Sequence, residues 1–166
     1  MKKPAIAIGA AIAALFLWRS FRSGGQLVPS VTTSEGFDLS PYGGPVVYPE
    51  SVKQVARAIA RAEGFYTPGS IPARAHNPGD IKVIGWTGQT LGEGITVFAS
   101  DDAGWTALYK QLWLILTGQS GVYNNDMTIR EMAAKWTGGD NASGWASNVA
   151  AALSVPDTSY LWEILA

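Results

Sequence analysis

Cysteine is absent from this chain, which excludes both disulfide cross-links and thiolate chemistry while leaving the cellular compartment open. Histidine occurs once, as His76, and no His, Asp or Glu residues are spaced like metal ligands, so neither a metal nor another cofactor is expected. Charge is sparse, at 15% of residues, and nearly balanced at a formal −1. The balance is uneven along the chain. Residues 1–25 carry Lys2, Lys3, Arg19 and Arg22 without an acid, so the remainder is acidic overall and lacks the basic footprint of a nucleic-acid-binding surface. A long hydrophobic run is also missing. The longest, from Ala5 to Trp18, falls short of the roughly 20 residues that span a hydrocarbon core.

That short run is nevertheless flanked in an informative way. Lys2 and Lys3 precede it, and Trp18-Arg19-Ser20-Phe21-Arg22 follows it where a secretory signal would show a small-residue cleavage site. Trp18 and Phe21 suit a membrane interface, and Arg19 and Arg22 can snorkel, which lengthens the usable span. An uncleaved N-terminal membrane anchor over residues 1–22 is therefore favoured over a cleaved signal. Ala5, Gly9 and Ala13 repeat every four residues, a spacing that suits a helix–helix partner in the membrane. The charge bias across the span is small and places the N-terminus inside and the large domain outside the cytoplasm. Residues 23–50 are rich in Gly, Ser, Thr and Pro without a sustained period and read as a flexible linker, with a reach on the order of 30 Å.

From Ser51 the pattern becomes mostly helical, and residues 51–166 are enough for one domain. Val52, Val55, Ile59 and Ala62 recur at helical spacing, Lys53, Arg57 and Arg61 on another face, and Ser51 with Gln54 reads as a capping box. Two β-prone runs, Ile81–Ile84 and Ile95–Phe98, suggest a small hairpin. Ser100 caps a helix to about Leu116 with Trp105, Leu108, Leu112 and Leu116 as its apolar stripe. Thr128 and Glu131 form a capping box opening a helix to Trp136, and helices near Ser143–Leu153 and from Ser159 follow. The fold class expected is α+β, mainly α.

Glu63 ends the first of these helices, just before Gly64, a residue suited to the left-handed stop. Its carboxylate meets the negative end of the helix dipole on the margin of the buried face, and both effects favour the protonated form that a general acid needs near neutral pH. Seven tryptophans add candidate platforms for sugar rings, although most tryptophans serve as core.

The order of motifs then adds up. Ala62-Glu63-Gly64 is followed by Asn77-Pro78-Gly79-Asp80-Ile81, by Gly94 to Phe98 leading into Ser100-Asp-Asp-Ala-Gly104-Trp-Thr-Ala-Leu108, by Met127-Thr128-Ile129 and a helix ending in Trp136, and by Asn141 and Val149. Over roughly residues 52–158 this resembles the lysozyme-like domains of the soluble lytic transglycosylase superfamily, in the branch common among bacteriophage cell-wall enzymes. The resemblance implies a lysozyme-like fold with a small β-hairpin, peptidoglycan glycan strands as partner, Glu63 as catalytic acid, and a substrate-binding set of Phe65, Asn77, Gly79, Asp80, Trp136, Asn141 and Trp145. The chain departs from the family at several points. Asn is frequent there where His76 and Asp80 stand here, the segment from Trp136 to Asn141 is shorter than the family's proline-bearing loop, and Trp145 stands where tyrosine is common. His76 reads as a turn or cleft-rim residue.

Ordinary lysozyme hydrolysis needs a second carboxylate, whereas a lytic transglycosylase needs one acid. Of Asp80, Glu93, Asp101 and Asp102, the last two suit helix N-terminal charges and Glu93 a loop, which leaves Asp80 as the residue to follow. The expected function is a membrane-anchored lytic transglycosylase cleaving between N-acetylmuramic acid and N-acetylglucosamine, located on the periplasmic face or in a membrane-containing phage virion. A hydrolytic muramidase and an inert lysozyme-like glycan-binding or structural virion protein are the alternatives.

Overall fold

A computed structural model describes residues 47–83 and 87–166. The anchor expected over residues 1–22 and nearly all of the expected linker lie outside the described residues, and among those described no helix is long and apolar enough to cross a membrane. The architecture is mainly helical, with one small antiparallel sheet. In chain order the elements are α1 (Glu50–Ala62), α2 (Ile71–Arg74), β1 (Thr90–Leu91), β2 (Ile95–Thr96), α3 (Asp101–Leu116), α4 (Ile129–Trp136), α5 (Ala142–Leu153) and α6 (Leu161–Leu165).

The central helix is α1. Its face of Val52, Val55, Ala56 and Ile59 is buried, and α1 packs against α3, α5 and α6, while α4 closes on α5. From the other helices Leu108, Leu112, Ile115, Ile129, Met132, Val149, Leu161 and Leu165 fill the same core. The buried face of α3 is Leu108, Gln111, Leu112 and Ile115, turned slightly from the expected stripe. Trp105 and Leu116 lie at its margin.

The start of the domain needs correction at two points. Tyr48, assigned to the linker by composition, is only 9% exposed, and its ring lies 5.7 Å from that of Tyr109 and 6.5 Å from that of Trp113. Folded structure therefore begins no later than Tyr48. The expected Ser51–Gln54 capping box is not formed either. Helix α1 starts at Glu50 behind Pro49, whose side chain makes no cap, and Ser51 Oγ donates instead to the carbonyl of Leu165 at 2.8 Å, tying α1 to α6. The other caps form as expected. Ser100 Oγ accepts from the Ala103 amide, and Thr128 with Glu131 makes a reciprocal capping box.

The hairpin pairs Thr90 with Thr96 and Leu91 with Ile95, so only one of the two β-prone runs supplies a strand. Residues 81–83 are not a strand, and Ile84 lies outside the described residues. The reason is local. The Ile81 amide, which a ladder would need, donates to the Asn77 side chain at 2.9 Å.

Candidate active site

Helix α1 delivers Glu63 to the floor of a cleft of about 750 Å³ between the helical core and the hairpin. The helix stops there because Gly64 takes a left-handed φ of 76° and its amide bonds back to Arg61. Six of the eight expected site residues line this one cleft. They are Glu63, Gly79, Asp80, Trp136, Asn141 and Trp145, drawn from the end of α1, the turn after α2, the end of α4 and the start of α5.

The carboxyl of Glu63 accepts a hydrogen bond from Trp145 Nε1 at 2.7 Å. Trp145 is buried and stacked on Trp136 at 5.9 Å, and Trp136 in turn lies 5.7 Å from Tyr123, so three aromatic rings form one wall beside the acid. Burial pushes the pKa of Glu63 up to about 7. The Trp145 hydrogen bond opposes that rise, the charge of Asp80 adds to it, and Trp136 opposes it more weakly. Desolvation therefore decides the protonation state, and close to neutrality Glu63 is poised between acid and base.

Asp80 sits across the same cleft in a left-handed conformation, φ 50°. Burial raises its pKa, with Lys82 opposing, and its Oδ1 is buried with no hydrogen-bond partner. His76, four residues earlier, is left-handed as well, φ 51°. Asparagine, aspartate and histidine enter this region more readily than other non-glycine residues, so His76 and Asp80 both suit the backbone their turn requires. His76 is not among the cleft-lining residues, and its Nδ1 lies 2.7 Å from Asp101 Oδ1 at the start of α3.

Two expected substrate-binding residues do other work. Asn77 is 0% exposed, and its amide is engaged entirely by backbone. Nδ2 donates to the carbonyls of Ile81 and Thr96 at 2.8 and 2.9 Å, and Oδ1 accepts the Ile81 amide. It holds the turn carrying Gly79 and Asp80 rather than facing the cleft. Phe65 packs edge-on against Tyr66 and Trp105, each at 5.6 Å, and does not line the cleft. Gly79 shapes the cleft by lacking a side chain, since a Cβ there would stand 2.9 Å from Leu108 and 3.0 Å from Ile81.

Several lining residues were not singled out from sequence, chiefly Tyr123, Gln111, Thr137 and Asn148. Gln111 carried a signal, as a polar residue three after Leu108 on the buried stripe of α3. Tyr123 carried almost none. It lies in the loop between α3 and α4, where Ser120 Oγ accepts the amides of Val122 and Tyr123 and sets the ring. Glu93, expected as a loop residue, is an exposed member of the hairpin turn that reaches the cleft rim. Among the described residues no group of His, Asp and Glu is arranged to hold a metal ion. No family model, curated protein or solved structure matches this chain.

Proposed function

We propose that this protein is a lysozyme-like enzyme that cleaves the glycan strand of peptidoglycan by the lytic transglycosylase route, with Glu63 as its acid and base. The observation that carries the reading is the state of Glu63, a mostly buried carboxyl with a pKa pushed up to about 7, fixed by the Trp145 N–H in an aromatic-walled cleft. A general acid works best when its pKa lies near the operating pH, and aromatic walls suit the apolar faces of sugar rings.

The chemistry uses that one group twice. Protonated Glu63 gives its proton to the bridging oxygen as the glycosidic bond of the N-acetylmuramic acid breaks, and the N-acetylglucosamine side leaves as an alcohol. The glutamate, now ionised, accepts the proton of the muramic acid's own primary hydroxyl while that oxygen bonds to the anomeric carbon. An anhydro-muramyl end forms, no water is consumed, and Glu63 is again protonated. The cleft has to hold the sugar so that its hydroxyl outcompetes water, an advantage that good pre-orientation supplies. The membrane anchor over residues 1–22 belongs to the same reading and would keep the domain close to the wall, in an envelope or a virion.

One observation favours a second reading, hydrolysis by two carboxylates. Asp80 lines the same cleft and its charge acts on Glu63. Mass spectrometry of fragments released from purified peptidoglycan separates the two. Anhydro-muramyl ends are expected, with Glu63→Gln lowering the rate at least about a hundredfold and Asp80→Asn costing far less. Reducing ends, together with an Asp80→Asn loss as severe as that of Glu63→Gln, would establish the hydrolytic muramidase. Unimpaired cleavage by Glu63→Gln would remove Glu63 from either mechanism.

A further inference from the structure

Tyr160 and Trp162 lie on the surface, 44% and 47% exposed, and neither lines the cleft around Glu63. Single exposed apolar residues are ordinary on a protein surface, but these two form a pair. Their rings are 16° from parallel, with centroids 6.2 Å apart. At that separation neither ring covers the other, and nearly half of each residue stays open to solvent. The pair is also held in place. Leu161 between them is buried and anchors the segment in the core. The amides of Leu161 and Trp162 donate to the carbonyls of Met127 and Asn125 at 2.8 and 2.9 Å, and the Tyr160 amide donates to Glu163 Oε2 at 2.8 Å. A ligand would therefore meet rings whose ordering has already been achieved by folding.

Charge narrows what such a surface can take. Residues 136–166 hold Asp140, Asp157 and Glu163 and no Lys or Arg. Arg130, which adjoins the segment, is forked onto Asp157 by bonds of 2.8–3.1 Å. An anionic lipid surface calls for basic residues around the aromatic ones, and this surface offers none. A neutral sugar ring needs none, because it lays its apolar face on an aromatic ring and keeps its hydroxyls in water. Position points the same way. Helix α4 joins the pair to the cleft. Thr128 at its start bridges to Tyr160, and Trp136 at its end stands in the cleft wall, about 12 Å away along the helix. The loop that carries Tyr123 into the cleft also supplies the Asn125 carbonyl that holds Trp162. We propose that Tyr160 and Trp162 form a second glycan-binding site outside the cleft, on which sugar rings of a peptidoglycan strand stack while Glu63 works on the wall. This rests on the glycan-cleaving reading and extends it from the cut bond to the hold on the polymer.

The test uses the full chain in detergent. Binding to insoluble purified peptidoglycan is measured by sedimentation in a Glu63→Gln background, so that the wall is not cut during the assay. Trp162→Ala should weaken that binding about five- to tenfold, and Trp162→Phe, which keeps a ring, by no more than about twofold. Tyr160→Ala should weaken it in the same direction. With Glu63 intact, Trp162→Ala should raise the apparent KM on insoluble peptidoglycan by a similar factor and leave kcat within about twofold. On a soluble tetrasaccharide from the same strand, short enough for the cleft alone to hold, KM and kcat should both stay within about twofold of wild type. Because both rings are largely exposed, neither alanine variant should lower Tm by more than a few degrees.

The inference is overturned if Trp162→Ala binds peptidoglycan as tightly as the parent chain, or if it impairs the tetrasaccharide reaction as much as the wall reaction. A loss as large in Trp162→Phe as in Trp162→Ala, with a Tm well below the parent's, overturns it too and makes the ring part of the core. So does peptidoglycan binding that is untouched while Trp162→Ala weakens retention on phosphatidylglycerol vesicles, or turns a dimer into a monomer by light scattering. Lipid or a second copy would then be the occupant. All of these results leave the glycan-cleaving reading standing as long as peptidoglycan is cut. If nothing is cut and Trp162 still governs binding to peptidoglycan, the enzymatic reading fails and the glycan-binding site remains.

Discussion

Glu63 draws its chemistry from burial, and this links activity and stability through one pKa. The group ionises near 4.5 when unfolded and at about 7 when folded. Its folded pKa is raised, so the native state binds the proton more tightly, and that contribution is present below the unfolded pKa and lost as pH rises through about 7. Above that pH the folded protein must carry a desolvated charge. Glu63→Gln removes the charge, and the amide oxygen can still accept from Trp145. The variant should therefore be more stable than wild type at pH 8, on the order of 2 kcal/mol, and nearly equal at pH 4.5. Urea unfolding at the two pH values checks this. Equal stabilities at pH 8 would mean that Glu63 is not strained by its site. Activity should fall on the alkaline side with a midpoint near the same pKa, because the acid is then ionised. The position of Glu63 was legible from the helical period and Gly64, and so was burial at the helix margin. The role of Asn77 was not, because sequence shows an amide without showing what it bonds. Tyr123 was hidden by its setting, since the loop around it has no period to say which way a ring points.

Elements were legible where a local signal had no competitor. Thr128 and Glu131 form their capping box because both groups are free to meet, whereas Ser51 fits the same pattern but is drawn to the Leu165 carbonyl across the core. Short strands were the least legible, since Asn77 takes the Ile81 amide that strand pairing would require. The packing of α3 on the turn that carries the site was equally out of reach, although the residue that permits it, Gly104, stands in the motif. A Cβ at Gly104 would lie 1.9 Å from the His76 carbonyl oxygen and 2.8 Å from Pro78, and a backbone oxygen cannot move aside as a side-chain tip could. Gly104→Ala should accordingly cost about 2–3 kcal/mol or more and disturb the turn from His76 to Asp80, lowering activity as well. Gly121→Ala, which has open space around its Cβ and an ordinary φ, is the control and should shift stability by no more than about 0.5 kcal/mol. Thr128→Ala should cost about 1 kcal/mol through the lost cap alone, without altering the cleft. If denaturant midpoints rank Gly104→Ala beside Gly121→Ala, the close packing of α3 against the turn is not what positions Asp80.

At the scale of the whole molecule, the sequence opens with a short apolar run with basic and aromatic flanks and a Gly-, Ser-, Thr- and Pro-rich stretch, and the first core residue among those described is Tyr48. Composition placed the domain boundary at Ser51 because Val47 to Glu50 contain a proline and no period. The aromatic contacts of Tyr48 with Tyr109 and Trp113 place it earlier. A chain beginning at Val47 keeps those contacts, and one beginning at Ser51 loses a largely buried ring. Deleting a core aromatic side chain costs about 3–5 kcal/mol, so the shorter chain should melt well below the longer one, and thermal unfolding of the pair measures it. Equal melting temperatures would show that Tyr48 is not part of the folding unit. The same pair of chains tests the anchor. Val47, the first described residue, is 84% exposed, so a chain cut there keeps every described core contact. After carbonate washing of membranes, full-length protein should stay in the pellet with its N-terminus intact by mass, and the chain from Val47 should be found in solution. Full-length protein that washes off, or that has lost its first residues, would show that residues 1–22 are not an uncleaved membrane anchor.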